Sequence, residues 1–199
     1  MAKPILDQAY CMGVLQSHLT KLHACVTSGF STYHRTPPEI KAQYDERAAT
    51  NAVYAHIIHA VDAEFSSTTG VALINSKGLK VLNFGDMLVV RFKKVNESGR
   101  HRNAHTKQQE RFDKQLSLPN LPPAATRVTI GYEPDPAFYE IVRVTVGCPL
   151  GHNTEPLWLT QVNVVGDAAE WVDITPARIP GTEPFERYED DDASETGKR

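Results

Sequence analysis

The residues of this chain best suited to chemistry lie together in one short stretch. Two arginines, two histidines and a glutamine fall within ten positions, namely Arg100, His101, Arg102, His105 and Gln109. Histidine titrates near neutral pH and can move protons, and arginine binds phosphate oxygens. Such a set nearly suffices for RNA cleavage, because the 2′-hydroxyl of RNA is the nucleophile. We therefore predict that His101, Arg102, His105 and Gln109 carry any catalysis, without a metal or other cofactor. The alternative is a polar loop whose side chains are simply solvated.

The same region concentrates basic charge. Residues 91–114 hold eight Lys and Arg against three acids, although the net charge of the whole chain is −3. A local basic patch on an acidic body is typical of proteins that bind phosphate, nucleic acid or an acidic partner. We expect these side chains to be solvated and predict that six of them contact nucleic acid, namely Arg91, Lys93, Lys94, Arg100, Lys107 and Arg111. The alternative is an ordinary solvated strand edge and helix face.

Two helices are predicted ahead of this region. Apolar residues at helical intervals predict a first helix over about residues 4–26, which Gly29 would cap at its C-terminus. The motif Thr36-Pro37-Pro38-Glu39 is typical of a helix start, since it combines a capping hydroxyl, prolines in the first turn and a carboxylate three residues on. Apolar spacing then continues to Gly70, so the second helix should be the longest.

Strands are predicted after Gly70. The β-rich runs 71–74, 79–83 and 87–95 are separated by turn residues, which indicates an antiparallel meander. In its last strand Leu88, Val90 and Phe92 should face one side and Arg91 and Lys93 the other. Residues 104–116 favour a helix. Three further strands are expected over residues 126–132, 138–147 and 157–165. The fold class is therefore α+β, with two N-terminal helices and a mainly antiparallel sheet interrupted by one inserted helix.

The chain is predicted to form one domain over residues 1–180, followed by a disordered acidic tail over 181–199. It has no apolar run of about 18 residues that could span a membrane, and its N-terminus lacks a signal-peptide pattern. We therefore expect a cytoplasmic protein without membrane contact. Cys11, Cys25 and Cys148 have no spacing typical of a disulfide framework or a zinc site, so we expect reduced thiols.

The order helix, three strands, helix, strand between about residues 37 and 132 resembles the core of the PD-(D/E)XK nuclease-like superfamily. In that family the meander carries catalytic acids and a lysine, and the next helix often carries a glutamine. Gly85-Asp86 matches the Asp element loosely, and Arg91-Phe92-Lys93 occupies the position of the Glu-x-Lys triplet. Gln108 or Gln109 would correspond to the helix glutamine.

This sequence departs from the family pattern at the metal-binding positions. Arg91 replaces the glutamate of the triplet, and an arginine repels the divalent cation that paired carboxylates would hold. Asp86 and Lys93 are also too close in sequence to lie on separate central strands. The resemblance therefore implies a degenerate member that binds nucleic acid rather than cutting it, or one that cleaves without metal.

Two functions of different classes follow. The first is a protein that binds phosphate or nucleic acid, RNA or DNA, as a degenerate or metal-independent nuclease. The alternative is a non-catalytic interaction subunit of a small assembly, such as the neutralising half of an operon pair, with an acidic protein partner or a second copy of itself. Aromatic side chains beside the cations would favour single-strand binding. In the basic stretch these are Phe92 and Phe112, and both fit core positions.

Overall fold

Helices precede a seven-stranded sheet in this protein, and one further helix lies within the connection between two strands. The computed structural model describes residues 5–101, 106–151 and 154–177. Its helices are α1 (Gln8–Leu15), α2 (Leu19–His34), α3 (Pro38–Lys41), α4 (Glu46–Phe65) and α5 (Lys107–Asp113), with a 3₁₀ turn at Gln16–His18 between α1 and α2. None of the helices in these ranges is long and apolar enough to cross a membrane.

The strands lie in the sheet in the order in which they occur in the chain. They are β1 (Val71–Ser76), β2 (Leu79–Phe84), β3 (Leu88–Lys94), β4 (Thr126–Pro134), β5 (Ile141–Gly147), β6 (Leu159–Val165) and β7 (Ala168–Asp173). Neighbours pair antiparallel except β3 and β4, which are parallel. A parallel pair requires the chain to cross back over the sheet between its strands, and α5 lies in that crossing.

One face of the sheet packs against α1, α2 and α4 and forms the main core. As the alternation in β3 predicts, Leu88, Val90 and Phe92 are all buried in this core. The helices α2 and α4 cross at Gly29, where a Cβ atom would lie 2.6 Å from Ile57. Only glycine permits this approach, because any side chain would collide with the facing helix.

The N-terminal helices also reach the far strands of the sheet. Gln8 Nε2 donates to Thr160 Oγ1 on β6 at 2.8 Å, and Gln16 Nε2 donates to the Ala169 carbonyl on β7 at 3.0 Å. The elements at the start of the chain are therefore fixed to those near the end of its described part.

The second face of the sheet is covered in part by α5 and the segment after it. A small apolar cluster forms there from Val81, Val89, Phe112, Leu118, Leu121 and Ala125. Gln115 holds the segment to β4, since its side chain accepts from the Arg127 N–H at 2.7 Å and donates to the Arg127 carbonyl at 2.8 Å. The second face of the sheet therefore carries an apolar cluster under α5 and, beside it, a cluster of polar side chains.

The predicted fold class is confirmed, and several element bounds are corrected. Gly29 does not cap the first helix, because close packing rather than a turn is what requires glycine there. Thr36 precedes the short α3, and the long helix α4 starts only after Asp45, whose carboxylate accepts from the Ala48 N–H at 2.7 Å. Strand β7 was not expected from the sequence. The predicted tail lies outside the described residues. Cys11, Cys25 and Cys148 are buried, and none of the three forms a disulfide within the described part of the chain.

Candidate functional site

Two of the predicted catalytic residues, His101 and Gln109, meet on the second face of the sheet. The side chain of Thr106 accepts from the Gln109 N–H at 3.2 Å and so caps the start of α5, as its position in the sequence predicts. Gln109 and Asp113 lie four residues apart on the same side of this helix, and Gln109 Nε2 donates to Asp113 Oδ2 at 3.1 Å. Both side chains are buried against the sheet.

Arg91 lies at the centre of this cluster and is 1% exposed. Its Nη2 donates to Asp113 Oδ1, its Nε donates to Thr129 Oγ1 at 3.0 Å, and its guanidinium lies 4.2 Å from the centre of the Phe112 ring. The expectation that Arg91 is solvated is therefore wrong. β3 is a central strand of the sheet, and α5 packs over the face of β3 that the sequence alternation predicts to be solvated.

His101 contacts both members of this ion pair. Its Nε2 lies 2.7 Å from Arg91 Nη2 and 3.3 Å from Asp113 Oδ1. A guanidinium can only donate, so the shorter contact makes Nε2 an acceptor and places the proton of the neutral ring on Nδ1. Burial lowers the pKa of His101, and the charges of Arg91 and Lys93 add to this effect against the opposing influence of Asp113. The lone pair on Nε2, which a general base would use, therefore already accepts a hydrogen bond from Arg91.

Asp113 is fully buried, and sequence reasoning did not identify it. Burial by itself raises the pKa of its carboxyl, but the charge of Arg91 and the hydrogen bond from Gln109 oppose this effect, and the pKa lies below its usual value. The signal that could have found this residue is its spacing of four from Gln109, which places both on the face of α5 that meets β3. Among the described residues, no group of three or more His, Cys, Asp or Glu side chains is arranged to hold a metal.

A small cleft of about 20 Å³ adjoins this cluster. Its polar groups come from three parts of the chain, with Arg100 and His101 after β3, Thr129 and Thr145 on neighbouring strands, and Thr154 on the β5–β6 connection. Arg100 is the cleft's exposed cation. Its guanidinium lies 3.8 Å from the Glu155 carboxylate, and the two side chains are 39% and 49% exposed.

Lys93 extends from the same face of β3 as Arg91 and is partly buried. Desolvation, together with the charge of Arg91, lowers its pKa to about 8 despite the opposing charge of Asp113. Arg127 on β4 is also buried on this face. Several basic groups therefore lie within one region of low solvent access, where Asp113 is the counter-ion of Arg91.

The remaining predicted nucleic-acid contacts do not join this site. Lys94 forms an ion pair with Glu46 at 2.9 Å and lies 5.0 Å from the Phe138 ring centre, on the opposite face. Arg111 Nε donates to the Ser117 carbonyl at 2.8 Å, and Lys107 is exposed at the start of α5. Arg102 and His105 lie outside the described residues. The continuous solvated basic patch expected from the sequence is therefore not formed by these side chains.

The acid suggested by the nuclease resemblance, Asp86, lies away from this cluster. Asp86 is in the β2–β3 turn, where its carboxylate accepts from Asn83 Nδ2 at 2.7 Å, at the opposite end of β3 from Lys93.

No known protein family, curated protein or solved structure matches this chain. The chemistry of the site is therefore inferred from its own residues.

Proposed function

We propose that the protein binds phosphate groups of nucleic acid at the Arg100 and His101 cleft, and that it does so without cleaving them. The observation that supports this most is the group of basic side chains at the cleft, where Arg100 lines the opening and the buried guanidinium of Arg91 contacts His101. The charge of Arg91 also contributes to the lowered pKa values of Lys93 and His101, after desolvation.

Arg100 supplies a partly exposed cation for the phosphate. Its ion pair with Glu155 is long, at 3.8 Å, and both side chains are partly exposed. Exposed pairs of this kind contribute about 0–1 kcal/mol, so a phosphate can replace Glu155 at the guanidinium at little cost, while Arg100 Nε still donates to Ser98 Oγ at 2.9 Å. The hydroxyl of Thr145 lies along the same cleft and can donate to a phosphate oxygen, whereas the hydroxyl of Thr154 donates to the Gly151 carbonyl at 3.1 Å.

The hydrogen bonding of His101 favours binding over cleavage. A general base needs a free lone pair, and here Nε2 accepts from Arg91. Freeing it would leave a buried N–H of Arg91 without an acceptor, which costs about 1–3 kcal/mol. A metal-independent nuclease acting through His101, Arg102, His105 and Gln109 is therefore the less favoured form of this proposal.

The test is binding of fluorescently labelled single-stranded and duplex RNA and DNA, measured by anisotropy in EDTA at two salt concentrations. Replacing Arg100 by alanine should weaken binding and reduce the dependence of log K on log salt by about one phosphate contact. Arg47→Ala is the matched control, since Arg47 is an exposed cation on α4 across the sheet. Equal affinities of wild type and Arg100→Ala would exclude the cleft as the binding site.

An interaction subunit is the second candidate, and exposed apolar side chains on the outer strands favour it. Val142, Val165 and Val172 are 58%, 74% and 53% exposed on β5, β6 and β7. Exposed apolar residues of this size are found at protein interfaces as well as singly on ordinary surfaces. Sedimentation of the purified protein over a range of concentrations tests for self-association, and a constant monomer mass would exclude a homo-oligomer.

A further inference from the structure

The cleft beside His101 has room for one small group. Its space of about 20 Å³ is slightly more than the 10–15 Å³ or so that a single water molecule needs. Two glycines allow Leu159 to pack closely along its wall, since a Cβ at Gly99 would lie 2.7 Å from Leu159 and one at Gly147 would lie 3.1 Å from it. The occupant of the cleft is therefore a water molecule, a monatomic ion or one terminal atom of a larger ligand.

Buried hydrogen-bond donors line this cleft. His101, Thr129 and Thr145 all contribute to its wall and are 7%, 6% and 2% exposed. Thr129 Oγ1 accepts from Arg91 Nε at 3.0 Å, which leaves the proton of its own hydroxyl for a ligand. Thr145 Oγ1 lies where a side chain at position 131 would be, because a Cβ at Gly131 would be 2.7 Å from it. The glycine therefore makes room for this hydroxyl on β5.

His101 adds an N–H group that has no acceptor among the described residues. Because its Nε2 accepts from Arg91, the proton of the neutral ring is on Nδ1. Gln109 Nε2 lies 3.4 Å from Nδ1, but it is itself a donor and is bound to Asp113. Buried donors normally have a partner. Since His101 lines the cleft, an acceptor atom held there would provide one.

The charges around the cleft favour an acceptor that carries negative charge. None of the described residues that line it is an aspartate or a glutamate, and Arg100 is among them. Two carboxylates lie close by, and each has a cation beside it. Asp113 pairs with Arg91, and Glu155 lies 3.8 Å from Arg100. Donors that converge next to cations, without a carboxylate among them, are suited to an anion.

We infer that the inner end of the cleft binds a single anionic atom, which is a halide ion or one oxygen of a phosphate group. The hydroxyls of Thr129 and Thr145 and the Nδ1–H of His101 donate to it. Val95 and Leu159 supply apolar contacts on other sides. Such a wall suits a halide, which needs no further groups around it.

The phosphate form of this inference rests on the proposed function and makes it more specific. One phosphate oxygen enters the cleft, and the phosphorus stays outside, where Arg100 contacts the other oxygens. The halide form does not depend on nucleic acid. A water molecule in the cleft in place of any anion would contradict both forms.

Ion binding is measured from the NMR line widths of chloride and of inorganic phosphate, because exchange with a protein-bound ion broadens the signal of the free ion. Thr145→Val and Thr145→Ala should each weaken binding about tenfold or more, since a hydrogen bond to a charged group is lost. Thr145→Ser keeps the hydroxyl and should bind nearly as tightly as wild type. Thr27→Val is the matched control, because the Thr27 hydroxyl donates to carbonyls of its own helix on the other face of the sheet.

The two ions distinguish the sources of the bound atom. Chloride broadening that depends on the Thr145 hydroxyl supports the halide form, and phosphate broadening with the same dependence supports the oxygen form. If the protein broadens neither signal, or if wild type and the variants without the hydroxyl broaden them equally, the inference is overturned. Labelled nucleic acid that still binds wild type in that case leaves the proposed function intact. Ion binding without any nucleic-acid binding refutes the proposed function and leaves the halide form standing.

Discussion

Replacing Asp113 by asparagine should be one of the most destabilising single changes available in this protein. The carboxylate is 0% exposed and pairs with Arg91, which is 1% exposed. Asparagine keeps the shape but leaves the guanidinium charge buried without its counter-ion. Breaking a buried pair in this way costs about 3–5 kcal/mol. In a chain of this size each kcal/mol lowers Tm by about 2–4 °C, so the expected decrease is roughly 6–20 °C.

Urea and thermal unfolding followed by circular dichroism measure this loss. Glu46→Gln is the matched control, because Glu46 forms an ion pair of ordinary length with Lys94 but is 86% exposed, and its loss should cost less than about 1 kcal/mol. The double variant Arg91→Met with Asp113→Leu should be less destabilised than either single variant, since it removes both charges together. An Asp113→Asn protein as stable as the control would show that Arg91 and Asp113 do not form a stabilising buried ion pair. A charge reversal at Arg91 should likewise unfold the protein, contrary to the sequence expectation of a solvated side chain.

Acidification and catalysis provide two further tests. His101 has a lowered pKa in the folded state, so its contribution to stability is complete above the unfolded pKa of about 6.5 and is lost as pH falls from there through the folded value. The lowered pKa of Asp113 adds a loss at more acidic pH. Urea unfolding between pH 8 and pH 4 should show a weaker pH dependence in His101→Gln, and identical curves would contradict this role. Incubation of labelled RNA and DNA with the protein, with or without EDTA, should yield no cleavage products on a denaturing gel. EDTA-resistant cleavage that falls about a hundredfold in His101→Ala would instead assign His101 a role in proton transfer.

The site shows which physical information a sequence carries and which it lacks. Alternation along β3 correctly placed Arg91 on the other face of the sheet from Val90 and Phe92, because strand geometry fixes the direction of each side chain. It could not show what covers the second face, since that depends on where α5 docks after the crossover. The pairing of Arg91 with Asp113 is therefore a product of tertiary packing.

The helices at the start of the chain depend on strands made at its end. Gln8 bonds to Thr160 and Gln16 to Ala169, so more than a hundred residues separate these partners. During synthesis at about 5–20 residues per second, the apolar side of α2 has no sheet to cover it for several seconds or longer after it leaves the ribosome. Contacts of such long range also slow folding. The N-terminal helices are therefore the part of the nascent chain that a chaperone would need to protect, and the protein becomes native only when β5, β6 and β7 are complete.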